Sequence, residues 1–592
     1  MMKKYIAMIV VSLMAVSCID TIILPDDVTV EEDFWKKKAD VQSMVSGAYR
    51  SMNVDLLNIS SNNNKIMPCL LVWNGLRSDE MVPVTTLTSS LADDLQEINL
   101  ANIQEDNEFV TWDYFYRVIN NCNLVLEKAG KVVGEDPSYT QSDYLADCSK
   151  MLALRALCYF YLVRHFRDIP FVVEAFTNSA QNRNIAQSAP ALVLEQLISD
   201  LETAERNAVT SNAYGDWQDK GFFTRDAIQA LMADIYLWRG SVMRNADDCA
   251  KCVEYCDKVI ASKKLNHVAS SFRGENENDS YPSLLWGSER FAELYVYQNA
   301  EESIFELQYT GRDNNTNKAL CQYYNHSTGS SAPPYLYAAP AYASTSVYPV
   351  NDWRGALNIY HFRQETEYKP IRKYVDNDFD LYQTVEAAKN DAKSRTYDLT
   401  YYQQNFIVYR LADVMLMKAE ALVAAARMAD AEETGTDTHL QEAFNLIREV
   451  NARSLENPGN DSLKWTDYSS KTAAQMEEEV LKERQRELAF EGKRWYDLLR
   501  YTYRNDVADN AVDYNLTLNE QYESGSDFAI VETNCTMLSS IQTKLGSTAA
   551  AAIARLRREP SWYLPVPMAD LKVSPLLKQN PNYSSNSNTS KN

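Results

Sequence analysis

Glycine is scarce in this chain, at 17 of 592 residues, against the ~7% usual in globular proteins. Few glycines means few tight turns, which argues for helices over a many-stranded β architecture. Basic residues are outnumbered, 58 Lys and Arg against 81 Asp and Glu, giving a net charge of −23. Nucleic-acid binding needs cations that neutralise phosphates, so no nucleic-acid partner is expected. The five histidines (His165, His267, His326, His361, His439) are scattered and read as incidental rather than as catalytic bases or metal ligands. A Gly-rich phosphate loop, a serine nucleophile elbow and an HExxH zinc motif are all missing. Beyond the amino terminus, no apolar run reaches the ~20 residues of a membrane span. No cofactor and no metal are expected.

What is present begins with a basic stretch, Met1 to Lys4, and an apolar run, Tyr5 to Val16, broken only by Ser12. With the small residues before Cys18, residues 1–17 read as a secretory signal. The Ala15-Val16-Ser17-Cys18 run resembles a bacterial lipoprotein cleavage site, with Cys18 as the lipidated first residue. Ala15 stands where such sites usually carry Leu, and ordinary signal-peptidase cleavage is the other reading. Residues 18–34 then form an acidic tether. The other nine cysteines are too few for a disulfide scaffold in a chain this long. Cys249, Cys252 and Cys256 share one helix face, the pattern of buried thiols in a core stripe.

Helical periodicity dominates the rest. Apolar stripes predict helices over Trp35–Met52, Trp112–Lys128, Ser149–Phe166, Ala191–Ala208, Thr224–Gly240, Asp247–Ser262, Phe406–Arg427 and Leu440–Arg453. Ile169-Pro170 ends the third. Thr224–Gly240 with Asp247–Ser262, and Phe406–Arg427 with Leu440–Arg453, pair as degenerate tetratricopeptide-like units. Between them, residues 265–399 are rich in Asn, Ser, Tyr and Pro and poor in helical period. Glu302–Tyr309 alternates apolar and polar residues, as a strand does. Residues 506–546 read as loop, and the Ser/Asn-rich 584–592 as a frayed tail.

Three carboxy-terminal blocks carry a family likeness. They are Arg410-Leu-Ala-Asp413 through Ala419-Glu420-Ala, then Lys482-Glu483-Arg484 through Trp495-Tyr-Asp497-Leu498-Leu-Arg500, and Leu564-Pro565-Val566-Pro567 with Ser574 to Tyr583. Gly47-Ala48-Tyr49, Ser78-Asp79-Glu80, Trp112…Asn123 and Asp352-Trp353-Arg354 agree. Together they resemble the SusD/RagB family of outer-membrane nutrient-binding lipoproteins across nearly the whole mature chain.

The resemblance implies a mainly α fold of tetratricopeptide-like helix pairs, spanning residues 35–583. The helical parts lie at about 35–264 and 400–500, with a loop-rich, ligand-side insert with short strands at about 265–399. It implies a lipid-anchored, cell-surface protein of the outer membrane that captures a glycan and passes it to a SusC-like TonB-dependent transporter. Peptide or glycoprotein cargo is the alternative within the family, and a secreted glycoside hydrolase the rival outside it.

Glu487 and Glu491, four apart, look like a paired-carboxylate glycosidase site. They sit one turn apart on the helix expected over Leu481–Arg500, where they cannot flank one bond. Charge-paired packing with Arg484, Arg486, Arg494 and Arg500 explains them, so no enzyme activity is expected.

Sugar capture calls for aromatic rings against C–H faces and polar groups for hydroxyls. The 37 tyrosines, twice the 18 phenylalanines, suit that chemistry. Two stretches mix the types, and the expected ligand-binding residues are Trp73, Asn74, Arg77 and Asp79, with Trp286, Tyr295, Tyr297, Tyr323 and Tyr324.

Overall fold

The computed structural model describes residues 34–56, 64–86, 88–177, 181, 184–267, 280–285, 289–312, 315–324, 333–360, 362, 369–375, 403–428, 438–509 and 511–584. The signal, most of the tether, Cys18, Trp286, Asn325, His326 and residues 585–592 lie outside them.

Local signals set the helix starts. Helix α1 (Lys38–Arg50) is followed by α2 (Asp113–Glu135) and α3 (Gln141–Phe166). Thr140 and Asp143 form a capping box that opens α3. Pro190, whose missing N–H costs nothing in a first turn, starts α4 (Pro190–Asn207). Helix α5 (Arg225–Val242) leads to α6 (Ala246–Leu265), where the Asn245 side chain accepts from the Asp247 and Asp248 amides. Helices α7 (Leu411–Met428), α8 (Thr438–Ala452), α9 (Ala473–Glu487) and α10 (Arg494–Asn505) follow, and shorter helices such as Ser90–Asn99 lie among and after them.

Packing runs in sequence order. Helix α2 lies on α3, α3 on α4, α4 on α5, α5 on α6, α6 on α7, and α7 on both α8 and α9. Each helix buries one stripe against the previous helix and another against the next, which is how stacked helix pairs build a continuous core. The two pairs expected from sequence are among them. Cys249, Cys252 and Cys256 are buried on α6, as expected of a core stripe. Cys252 and Cys256 have Sγ atoms 3.9 Å apart, and burial pushes the Cys249 thiol up to about 12.

Strands are short and antiparallel. They are β1 (Met81–Pro83) with β5 (Leu336–Ala338), β2 (Ile169–Pro170) with β3 (Gln187–Ser188), and β4 (Ser303–Leu307) with β6 (Phe406–Arg410). The β4–β6 ladder pairs Leu307 with Phe406 and Ser303 with Arg410. Strand β4 matches the alternation at Glu302–Tyr309.

Three expectations need correction. Phe406–Arg427 does not start as a helix. Its first five residues, Phe-Ile-Val-Tyr-Arg, are β-branched, aromatic and buried, and they pair with β4 before α7 begins. Leu481–Arg500 is not one helix. The chain turns between α9 and α10 through Phe490 (φ 62°) and Gly492 (φ 69°), both left-handed, a region that glycine enters at no steric cost. Leu481, Leu488 and Trp495 therefore do not share one helix face. Residues 506–546 are not all loop, since short helices cover Leu518–Glu523 and Thr536–Leu545.

A buried ion cluster ties the loop-rich part to the helices. Arg410 bonds Glu302 at 2.8 Å, Glu487 at 2.7 Å and Glu491 at 2.8 Å. Arg453 adds contacts to Glu302 and Glu487, Arg354 reaches Asp352, Glu483 and Glu487, and Lys373 reaches Glu491. The partners of Glu487 and Glu491 are thus distant in sequence. Arg484 pairs with Asp413 and Asp497, Arg486 with Glu483, Arg494 with Asp79, and Arg500 with Glu420 and Asp497. Charge pairing is the right account of the two glutamates, with different cations.

Glu80, beside this region, is buried with its Oε1 accepting from the Phe490 amide at 3.1 Å. Burial raises its carboxyl to about 8. A raised acid holds its proton in the fold and loses it in the unfolded chain, so its contribution falls as pH rises from ~4.5 to ~8. Glu80→Gln is expected to leave the thermal midpoint near the wild-type value at pH 4 and raise it at pH 8. Equal shifts at both pH values would contradict this.

Candidate ligand-binding site

Most of the sequence candidates lie in the core. Trp73 is fully buried; its Nε1 donates to the Phe109 carbonyl at 2.8 Å, and its ring lies 5.5 Å from Phe115 and 4.5 Å from His165. Asn74 donates to the Leu70 carbonyl. Arg77 lies over the Trp495 ring, donates to the Trp562 carbonyl, and is lowered by burial to about 10. Asp79 takes two bonds from Arg494, at 2.8 and 3.0 Å. Tyr295 donates to Glu491 at 2.9 Å, and Tyr324 donates to the Phe490 carbonyl. Tyr323 packs edge-on against Phe109 and Tyr335.

These seven side chains are corrected from ligand-facing to core positions. A sugar needs an open ring face, and those of Trp73, Tyr295, Tyr323 and Tyr324 are covered, while Asn74, Arg77 and Asp79 are buried and bonded within the protein. Trp286 lies outside the described residues. Tyr297 alone among the described candidates is open, at 76% exposure.

Tyr297 ends a short π-helical turn, Glu293–Tyr297. The next two residues, Gln298 (φ 65°) and Asn299 (φ 51°), are both left-handed. That corner turns the chain into β4, and Gln298 and Asn299 line a cleft of about 360 Å³. The cleft is lined by Phe305 to Tyr309, from β4 into the residues after it, and the Arg410 and Arg453 contacts to Glu302 anchor the residue before that strand. Asn405 fixes this stretch further. Its Nδ2 donates to Glu306 and Gln308, and its Oδ1 accepts from the Tyr309 amide.

The opposite wall holds a ring that sequence reasoning passed over. Trp217 is 48% exposed and lies 5.6 Å from Phe222, which itself lies 4.8 Å from Tyr49 of α1. The loop carrying it is built by Asp219, whose carboxylate accepts from the amides of Tyr214 (3.1 Å) and Gly215 (2.8 Å). The usable signal was a tryptophan in a polar turn, Tyr214-Gly215-Asp216-Trp217, between two helices. A core tryptophan would lie on an apolar stripe.

Gly221 makes the close approach possible. A Cβ there would lie 2.7 Å from Gln308 Cγ and 2.8 Å from Trp217 Cε3. Gly221→Ala is expected to displace both side chains at a cost of about 1–3 kcal/mol. Calorimetry would read this as a lower thermal midpoint, and an unchanged midpoint would contradict the packing.

Amides line the rest of the cleft: Asn53, Gln298, Asn299, Gln308 and Asn315. Its charged lining residues are Arg50 and Glu306, and burial raises the Glu306 carboxyl. An aromatic face beside several amides is the chemistry that takes a sugar ring and its hydroxyls.

A larger cleft, of about 630 Å³, lies between α2 and the carboxy-terminal segment. Its tryptophan, Trp112, is buried, and several polar groups are committed. Asn120 exchanges two bonds with Phe176, Asn123 donates to Val172 and Glu174 carbonyls, and Tyr116 donates to the Pro170 carbonyl. The amides of the Trp217 cleft are also bonded within the protein, so what favours it for a sugar is its half-exposed tryptophan.

The architecture is a stack of helix pairs with short strands, and comparisons with known proteins give the family. Residues 204–583 match the SusD family, and residues 33–237 match a group described as starch-binding, associating with outer membrane. The chain belongs to the SusD family. SusD-like protein P2 of Formosa agariphila is 24% identical over 86% of this chain and 92% of the relative. SusD-like protein P38 of the same organism is 24% identical over 80% of this chain and 86% of the relative. Among solved structures, a SusD homologue of Bacteroides thetaiotaomicron matches with TM-score 0.63 and 18% identity over 93% of this chain and 99% of that one. A laminarin-binding SusD-like protein matches with TM-score 0.58 and 20% identity over 93% and 100%.

Proposed function

We propose that this protein is a lipid-anchored, cell-surface glycan receptor of the outer membrane that delivers its cargo to a SusC-like TonB-dependent transporter. The observation that carries the reading is the cleft lined by a half-exposed tryptophan together with several side-chain amides. Family membership supports glycan binding, and the laminarin-binding neighbour supports an oligosaccharide as cargo. Of the sequence candidates, Tyr297 stays in the proposal as the exposed residue that precedes Gln298 of the cleft. Trp217, Asn53, Asn299 and Asn315 join it.

Capture works by burial and pairing. A sugar ring laid on Trp217 removes apolar area from water, and the amides exchange hydrogen bonds with its hydroxyls. No bond in the ligand needs to change, and Glu487 and Glu491 are held by Arg410, Arg453, Arg354 and Lys373. The helix stack offers a surface for the transporter.

Lipid on Cys18 keeps the receptor at the membrane, because each buried CH₂ contributes ~0.8 kcal/mol. Full-length protein made in a Gram-negative host with surface lipoproteins is expected in the outer-membrane fraction. Cys18→Ala is expected in the soluble fraction with its glycan binding intact. Wild-type protein found free in the cytosol would contradict the proposal.

A further inference from the structure

We infer that Asp219 is the positioning residue of the Trp217 cleft: its buried carboxylate sets the direction of the tryptophan before any ligand arrives. This rests on the glycan reading of the cleft. Asp219 is almost fully enclosed. Its Oδ1 accepts from the Tyr214 amide at 3.1 Å and its Oδ2 from the Gly215 amide at 2.8 Å. Gly215 is left-handed (φ 72°), a turn that glycine takes without steric cost. Trp217 lies within the span that these two bonds close. Backbone bonds complete the turn, with the Lys220 and Gly221 amides donating to the Trp217 carbonyl at 3.1 and 2.8 Å. Asp216 also accepts, from the Gln218 amide at 2.8 Å, but that bond is exposed and water competes for it.

The same residues support the indole ring. Tyr214 lies 6.3 Å from Phe222, and Phe222 lies 5.6 Å from Trp217. The Lys150 ammonium sits over Tyr214 and Phe222, at 5.8 and 5.3 Å. Holding the Tyr214 amide therefore keeps the support of Trp217 in place. The β4 side of the cleft is anchored separately. Lys263 of α6, buried at a small polar cavity that Asp219 and Lys220 also line, donates to the Glu301 and Ser303 carbonyls at 2.7 and 2.6 Å. With that side fixed, the order of the Trp217 turn decides whether the cleft is ready. A turn left unordered must be ordered on binding, and fixing the backbone of one residue costs roughly tenfold in affinity.

The test is fluorine NMR of the mature protein labelled with fluorotryptophan, the Trp217 signal being the one lost in Trp217→Phe. Asp219→Asn keeps the volume but sets an NH₂ against one of the two amides. It is expected to move the Trp217 signal and leave the other tryptophan signals in place. Titration calorimetry with laminarin, amylose and galactomannan adds the binding arm. A probe held in a Trp217-dependent way is expected to bind Asp219→Asn about tenfold more weakly. In a Trp217→Ala background, Asp219→Asn is expected to change Kd less than about twofold. An unmoved Trp217 signal would overturn the positioning role and leave the cleft standing, as would an equal loss of affinity in both backgrounds. Movement of all the tryptophan signals would make Asp219 a general prop of the fold and overturn the role too. A glycan bound equally by wild type and Trp217→Ala would overturn the cleft reading itself, while the Trp217 signal still decides whether Asp219 holds the ring.

Discussion

Arg410→Met is expected to destabilise the protein by about 3–5 kcal/mol, the usual cost of deleting one partner from a buried ion cluster. The arginine is almost fully enclosed and serves Glu302, Glu487 and Glu491 together. Methionine fills similar volume but leaves three carboxylates sharing Arg453, Arg354 and Lys373. For Glu302, burial alone would raise the carboxyl, but Arg453 and Arg410 outweigh it and hold it below its ordinary value. Glu491 is depressed in the same way by Arg410 and Lys373, against burial.

A depressed carboxyl contributes stability above its unfolded value of ~4.5 and loses it as pH falls through the folded value. Removing Arg410 weakens that depression. The variant should unfold at lower urea at pH 7, and its acid midpoint should move to higher pH. A wild-type urea curve would show that the cluster does not hold β4 and β6 together.

The second large effect is on binding. Trp217→Ala is expected to cost about 2 kcal/mol of glycan affinity, from on the order of 80 Å² of ring face at ~25 cal/mol per Å². That is roughly a 30-fold rise in Kd. The half-exposed ring contributes little to the core, so the thermal midpoint should stay within about a degree of wild type. Trp73→Phe gives the opposite pattern. Trp73 is enclosed by Phe115, His165 and Phe166, so this variant should lower stability and leave affinity unchanged.

That contrast explains what the sequence disclosed and what it hid. The helix pairs were legible because long amphipathic stripes at Thr224–Gly240 and Asp247–Ser262 leave only one way to bury them. The family was legible from blocks such as Glu483 to Arg500. The same blocks misled about local structure, because the turn at Phe490 and Gly492 depends on what surrounds them, including the bond from Phe490 N to Glu80.

The ligand residues were least legible. Tyrosine suits both sugar contact and the interior of a polar core, and this chain spends many tyrosines inside. Tyr409 donates to Asp234, and the hydroxyls of Tyr503, Tyr514 and Tyr563 meet at 2.5 Å. A Tyr or Trp surrounded by Asn, Asp and Arg in sequence looks the same in either role. The fold seals Trp73 in the core and turns Trp217 outward on the Asp219 loop, and the polar turn around Trp217 is the one sequence signal that sets it apart.

The most direct measurement is a crystal structure of the protein grown with a neutral oligosaccharide it binds. The account predicts an intact sugar chain with one ring stacked on Trp217 and hydroxyls toward the amides of the β4 wall. A sugar seated in the larger cleft between α2 and the carboxy-terminal segment, or one recovered cleaved, would contradict it.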